Sequence, residues 1–93
     1  MNKQDIIYLD GDLIFSTVAS KRKSFLAAIH DISTKKVVVD LTKVVQADSS
    51  ALSLMLEGIR TAKRSGKFLQ YQGTPNYLLK LAMFCRVDGI LTI

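Results

Sequence analysis

An acidic residue followed by two hydroxyl residues is the part of the sequence best suited to chemistry. Asp48, Ser49 and Ser50 come directly after a strand-like segment and directly before a strongly helical stretch. The start of a helix presents free backbone N–H groups and the positive end of the helix dipole, so a phosphate on Ser49 or Ser50 would be stabilised there. The same residue types are ordinary helix caps. Capping and phosphorylation therefore both remain open from these residues alone.

The helix after this segment carries two apolar stripes at helical spacing. The stripe predicted to face the core consists of Leu52, Met55, Leu56, Ile59 and Ala62. The neighbouring stripe is small and uncharged and consists of Ala51, Leu54, Gly58 and Thr61. A small stripe lets the backbone of another protein approach closely, although extra core contacts would explain the same residues. We predict a partner-binding surface formed by the Asp-Ser-Ser segment and this second stripe.

Other polar residues suggest chemistry that has simpler explanations. Asp10, Asp12 and Asp40 are hard ligands, but turn chemistry explains the first two and a strand end explains the third. Cys85 is the single cysteine, which excludes an internal disulfide and leaves no Cys/His cluster for zinc. A hydrolase at the serine pair would need His30 as base and a nucleophile elbow that is not present. We therefore expect no enzymatic activity, no metal and no cofactor.

Length and charge limit the class of protein. With 93 residues the chain has the size of one domain, so we expect a single domain over residues 1–93. The net charge of +5 favours acidic partners. We expect no nucleic-acid binding, because the three tyrosines and four phenylalanines fall mostly on strand or core-facing positions. Neither a signal-peptide pattern nor an apolar run of about 18 residues is present, so we expect a cytoplasmic protein.

The first half of the chain predicts two strands, a helix and a third strand. Apolar runs at residues 6–9 and 13–15 flank an Asp-Gly pair, which predicts an antiparallel hairpin. Apolar residues at a spacing near 3.6 predict a helix over residues 17–32. The run Val37-Val38-Val39 is apolar on both faces, which is typical of a central strand, and residues 41–47 are predicted to form a loop.

The second half predicts two helices and two strands. One helix begins at Asp48 or Ser49 and ends at Gly66. A strand at residues 68–71 precedes a helix that starts at Pro75 with Thr74 as cap, and residues 87–93 are predicted to form a final strand. The order β-β-α-β-α-β-α-β predicts an α/β fold: a mixed sheet with about three helices packed mainly on one side.

These segments resemble the STAS domain family over nearly the whole chain. The resemblance is carried by residues 37–42, 62–67 and 79–91, and above all by the Asp-hydroxyl loop at residues 45–52. Ala51 stands where the family usually has Gly, which keeps the side chain small. Within the family, the length, the loop and residues 72–82 resemble the MlaB-like subunits. The resemblance implies a STAS-like sheet and a partner-binding loop, with Ser49 or its neighbour Ser50 as the candidate phosphorylation site.

Two functions follow from the resemblance. MlaB-like subunits bind the ATPase of an Mla-type ABC transporter that moves phospholipids and maintains outer-membrane lipid asymmetry. Such a subunit would be cytoplasmic and would meet the inner membrane only indirectly, through its partner. Anti-sigma factor antagonists are the alternative, in which an anti-sigma factor kinase phosphorylates the loop and ends binding. Both implied functions are non-enzymatic.

Overall fold

The protein, seen in a computed structural model that describes residues 6–86 and Gly89, has a three-stranded parallel sheet with three helices. The elements alternate along the chain and are β1 (Ile6–Leu13), α1 (Phe15–Asp31), β2 (Lys36–Ala47), α2 (Ser49–Arg64), β3 (Phe68–Gln72) and α3 (Asn76–Phe84). The strand order in the sheet is β1-β2-β3. The predicted α/β class with three helices is confirmed. The final strand predicted at residues 87–93 lies outside the described residues, apart from Gly89.

The hairpin predicted at the start of the chain is wrong. Ile6–Leu13 is one continuous strand that pairs in parallel with β2. Its register slips twice, between Tyr8 and Asp10 and between Gly11 and Asp12, so β2 carries one extra residue at each place. Gly11 has a φ of +72°, a backbone conformation that glycine adopts easily. The Asp-Gly pair therefore accommodates an irregularity within a strand and does not reverse the chain.

The loop predicted at residues 41–47 is also wrong, because β2 continues through Ala47. Leu41 and Val44 are buried and keep the second half of the strand in the core. The predicted central position of Val37, Val38 and Val39 is confirmed, since β2 lies between the other two strands. The length of β2 carries the chain to the edge of the sheet at which α2 begins.

Helices α1 and α2 pack against each other and against the sheet. On β2 and β3 the residues that face these helices are paired in register, Val37 with Leu69 and Val39 with Tyr71. All four are buried, and the Tyr71 hydroxyl donates a hydrogen bond of 2.7 Å to the Met55 carbonyl of α2. Burial raises the pKa of Tyr71. A buried hydroxyl with a backbone partner thus joins α2 to the sheet.

Helix α3 begins one residue later than Thr74 would require for capping. Its N-cap is Pro75, so the prediction that Thr74 caps the helix is wrong. Leu78 and Ala82 are buried, and the Tyr77 hydroxyl donates to the Val44 carbonyl at 3.1 Å. The Tyr77 bond attaches α3 to the second half of β2. Within the described residues, no helix is both long and apolar enough to cross a membrane.

Replacing Gly58 by alanine should lower the free energy of unfolding by about 1–3 kcal/mol. A Cβ at Gly58 would lie 2.6 Å from the Tyr71 hydroxyl oxygen and 3.0 Å from two ring carbons of Phe25. The better helix propensity of alanine, about 1 kcal/mol, offsets only part of this overpacking. Urea titration would measure the loss. Ser53→Ala, at an exposed position of the same helix, is the control and should change stability by no more than about 0.5 kcal/mol. A Gly58→Ala protein as stable as the control would contradict the close packing.

Candidate partner-binding site

Two helices begin side by side at one edge of the sheet. Because β1 and β2 run in parallel, their carboxyl ends meet at the same edge. Leu13 at the end of β1 lies opposite Ala47 at the end of β2. One residue after each strand a helix begins, α1 at Phe15 and α2 at Ser49. Free backbone N–H groups from two helix starts are therefore concentrated in a small region.

The Asp48 carboxylate bonds to both helix starts. One oxygen accepts the Ser50 N–H at 2.8 Å, which makes Asp48, one of the two predicted cap residues, the N-cap of α2. The other oxygen accepts the Phe15 N–H of α1 at 3.0 Å. The Asp48 N–H itself donates to the Leu13 carbonyl at 3.2 Å. The bonds from Phe15 and then Ser50 hold the pKa of Asp48 below its usual value.

The start of α1 depends on the Asp48 carboxylate because its own N-cap residue, Ile14, has no polar side chain. Thr17 supplies part of the cap, since its hydroxyl oxygen accepts the Ile14 N–H at 3.0 Å. The same hydroxyl donates to the Asp12 carbonyl at 2.6 Å. The Asp48 carboxylate accepts the hydrogen bond from the next N–H, that of Phe15. Helix α1 consequently starts two residues before the predicted position.

An aromatic ring and a hydroxyl are exposed where the two helices start. The Phe15 side chain is 83% exposed although its backbone N–H is bonded to Asp48. Ser49, the first residue of α2, is exposed, whereas Ser50 is half-buried. The edge thus presents an apolar ring and the accessible Ser49 hydroxyl beside a carboxylate. A partner can bury the ring and contact the polar groups, which is the usual composition of a protein interface.

The predicted stripe of α2 does not form an open surface. Ala51, Leu54 and Gly58 are buried, so their assignment to an exposed partner-binding face is wrong. The cause is that α2 packs on the sheet with one side and on α1 with another, which buries two stripes. Thr61 is half-buried and lies in the second half of the helix, away from Ser49. Of the predicted surface, only Asp48, Ser49 and Ser50 come together.

The residues considered for catalysis lie far apart, and Asp40, considered for metal binding, already accepts hydrogen bonds from other side chains. His30 lies 15 residues along α1 from Phe15, which is about 22 Å from the helix start beside Asp48. Ser49 therefore has no histidine base in reach. The Asp40 carboxylate accepts hydrogen bonds from Thr42 and from the Gln72 amide. Among residues 6–86, no group of three or more potential ligands lies close enough to hold a metal ion.

Sequence reasoning missed Phe15, the most exposed apolar group at this edge. The residue was assigned to the second strand of the hairpin, where an aromatic side chain is expected to pack. The signal that would have found it is topological: residues that follow two adjacent parallel strands lie next to each other. Once Ile6–Leu13 is known to pair with β2 in parallel, Phe15 must lie near Asp48.

Solved structures of other proteins share this fold at low sequence identity. The unphosphorylated anti-sigma factor antagonist SpoIIAA is 18% identical with a TM-score of 0.74, over 99% of this chain and 82% of that one. A sulfate transporter family protein from Wolinella succinogenes is 20% identical with a TM-score of 0.72, over 94% and 70% of the two chains. The SulP transporter STAS domain from Vibrio cholerae is 15% identical with a TM-score of 0.70, over 98% and 70%. No match is found among curated proteins.

The strand order and the three helices define an α/β fold that these structures share. Over residues 2–92 the chain matches the family model described as Mlab, STAS domain, and it belongs to the STAS domain family. STAS domains are in general non-catalytic and mediate protein–protein interactions in transporters and anti-sigma factor antagonists. The predicted family is therefore confirmed.

Replacing Asp48 by asparagine should loosen the start of α1 more than the start of α2. Asparagine is a good N-cap and retains one acceptor for Ser50, but its amide nitrogen cannot accept the Phe15 N–H. We expect a lower Tm and faster amide hydrogen exchange at Phe15, with smaller changes at Ser50. Asp48→Ala removes both acceptors and should release both amides. Equal protection of Phe15 in the wild-type and Asp48→Asn proteins would contradict the bridge.

The Asp48 bonds also predict a pH dependence. Since the pKa of Asp48 is lower in the folded chain than in the unfolded chain, its stabilisation is complete above the ordinary value of about 3.9. The stabilisation is lost as the pH falls through the lower, folded-state pKa. Thermal unfolding between pH 7 and strongly acidic pH should therefore show a weaker acid dependence for Asp48→Asn than for the wild type. An equal acid dependence of the Asp48→Asn and wild-type proteins would contradict the contribution of these bonds.

Proposed function

We propose that the chain is a non-enzymatic accessory subunit that binds and regulates the ATPase of an Mla-type ABC transporter. The transporter moves phospholipids and maintains the lipid asymmetry of the outer membrane. In this role the protein is cytoplasmic and is held at the inner membrane by its partner alone. The family description names Mlab, which supports this branch of the family. The STAS neighbours that belong to transporters support the more general transporter association.

The exposed Phe15 ring beside Asp48 and Ser49 is the observation that carries the proposal. A ring that is 83% exposed contributes little to the fold of the free chain, but it offers a large apolar area to a partner. Aromatic residues at the centre of an interface are frequent hot spots. The Asp48 bond to the Phe15 N–H holds the backbone that carries the ring. The partner therefore meets a rigid anchor with a serine hydroxyl beside it.

A phosphorylation switch is the second candidate function, and the exposure of Ser49 favours it. The hydroxyl lies at the first position of α2, where the helix dipole stabilises an added phosphate. Ser50 is half-buried and its N–H is bonded to Asp48, so Ser49 is the more accessible of the two serines. In this alternative the partner is an anti-sigma factor kinase, and phosphorylation ends its binding.

Replacing Phe15 by serine should weaken binding to the transporter ATPase by about tenfold or more, the loss expected for an interface hot spot. Copurification followed by titration calorimetry would measure the change. Phe68→Ser is a matched control, because Phe68 is 60% exposed but lies at the start of β3, away from the helix starts. The control should bind as the wild type does. Unchanged affinity of a folded Phe15→Ser protein would rule out this surface.

Incubation with a cognate anti-sigma factor kinase and ATP tests the switch. If the switch operates, mass spectrometry should place the phosphate on Ser49, and Ser49→Ala should abolish it while Ser50→Ala retains it. A phosphate on Ser50 alone would contradict the accessibility argument. Absence of phosphate in all three proteins would leave only the scaffold role in the transporter.

A further inference from the structure

A basic groove separates α1 from α2 on the second half of the helix pair. It has a volume of about 140 Å³ and is lined by Arg22, Leu26, Glu57, Arg60, Thr61 and Arg64. Three arginines thus share the groove with one glutamate. Arg60 and Arg64 are four residues apart, so they lie one above the other on the same side of α2. The groove contains Thr61, the residue of the predicted stripe that is not fully buried.

Only one of the three arginines is neutralised. Arg22 donates from Nε and Nη2 to the two Glu57 carboxylate oxygens, at 2.6 and 2.7 Å. The pKa of Glu57 lies below its usual value. The largest cause is the hydrogen bonding from Arg22, and the positive charges of all three arginines add to it. Within residues 6–86, Arg60 and Arg64 make no ion pair within 4.0 Å. Among the described residues, these two guanidinium groups therefore have no carboxylate partner.

The shape of the groove distinguishes between anionic partners. The three arginines are exposed, but they line a concave space between two helices, which a single side chain enters more easily than a flat lipid surface does. A carboxylate fits the space and can accept two parallel bonds from one guanidinium, as Glu57 does from Arg22. We propose that the groove binds an acidic side chain from a segment of the partner protein, with Arg60 and Arg64 as its donors.

The position of the groove connects it with the helix-start edge. Arg60 is 11 residues along α2 from Ser49, a distance of about 16 Å. An extended peptide of about five residues spans that distance. One segment of a partner can therefore contact Phe15 with an apolar residue and place an aspartate or glutamate in the groove. The assignment to the transporter partner rests on the proposed function, whereas the carboxylate site itself does not.

A hexaglutamate peptide tests the carboxylate site without any transporter protein. Titration at low salt, followed by NMR of backbone amides and arginine Nε–H groups, should shift the signals of Arg60, Thr61 and Arg64. The double variant Arg60→Gln, Arg64→Gln should weaken binding by about fivefold or more. The control Lys35→Gln, Lys36→Gln removes the same charge from exposed positions at the start of β2 and should bind within about twofold of the wild type.

Three results would overturn the site. Equal weakening by both double variants would mean that the peptide responds to net charge alone. Shifts confined to residues outside the groove would locate the anion elsewhere. Binding of vesicles that contain phosphatidylglycerol, without binding of hexaglutamate, would identify the groove as a lipid contact.

Copurification with the ATPase separates this inference from the proposed function. We expect the arginine double variant to reduce ATPase binding and the lysine double variant to retain it. If the ATPase binds the arginine variant and the wild type equally, the groove proposal fails and the accessory role stands. If the ATPase binds no form of the chain while hexaglutamate still shifts Arg60 and Arg64, the accessory role fails and the carboxylate site stands.

Discussion

The bridge from one carboxylate to two helix starts is the interaction on which the site depends. The Asp48 carboxylate caps α2 and accepts a hydrogen bond from the Phe15 N–H of α1. The Asp48 N–H donates to the Leu13 carbonyl at the end of β1. Each bond satisfies a backbone group that its own helix or strand leaves unpaired. Because Ile14 cannot cap α1 through its side chain, the start of that helix depends on a residue 33 positions away. The exposed ring and serine thereby lie beside one carboxylate.

Close packing of the helix pair determines which surfaces are left for partners. Gly58 allows α2 to approach Phe25 of α1 and Tyr71 of the sheet, and a methyl group there would meet both. Leu54 is buried in the same core. With two stripes of α2 buried, the helix presents its N-terminal end and its charged side to the exterior. Partner contacts are accordingly expected at Ser49 and along the arginine groove, and not on the small stripe.

The sequence predicted local features well and long-range pairing poorly. Helical spacing, the Asp48 cap and the central Val37-Val38-Val39 run depend on neighbouring residues, and all three were predicted correctly. The Asp-Gly pair was misleading because a positive φ at Gly11 serves a bulge as well as a turn. Parallel pairing of β1 with β2 joins distant segments and leaves no local pattern. The burial of Leu54 depends on α1 packing beside α2, and the exposure of Phe15 depends on where β1 ends.

The positive charge of the chain has several separate uses. Lys21 donates to the Asp10 and Asp12 carbonyls, and thereby satisfies backbone groups of β1. Lys67 donates to the Ile29 and His30 carbonyls at the end of α1, at 2.8 and 2.7 Å, where a cation also complements the helix dipole. These lysines have structural roles, as Arg22 has with Glu57. Part of the net charge of +5 is therefore used within the fold. Arg60 and Arg64 remain as a local pair of cations in a groove, which matches an acidic side chain of a partner segment.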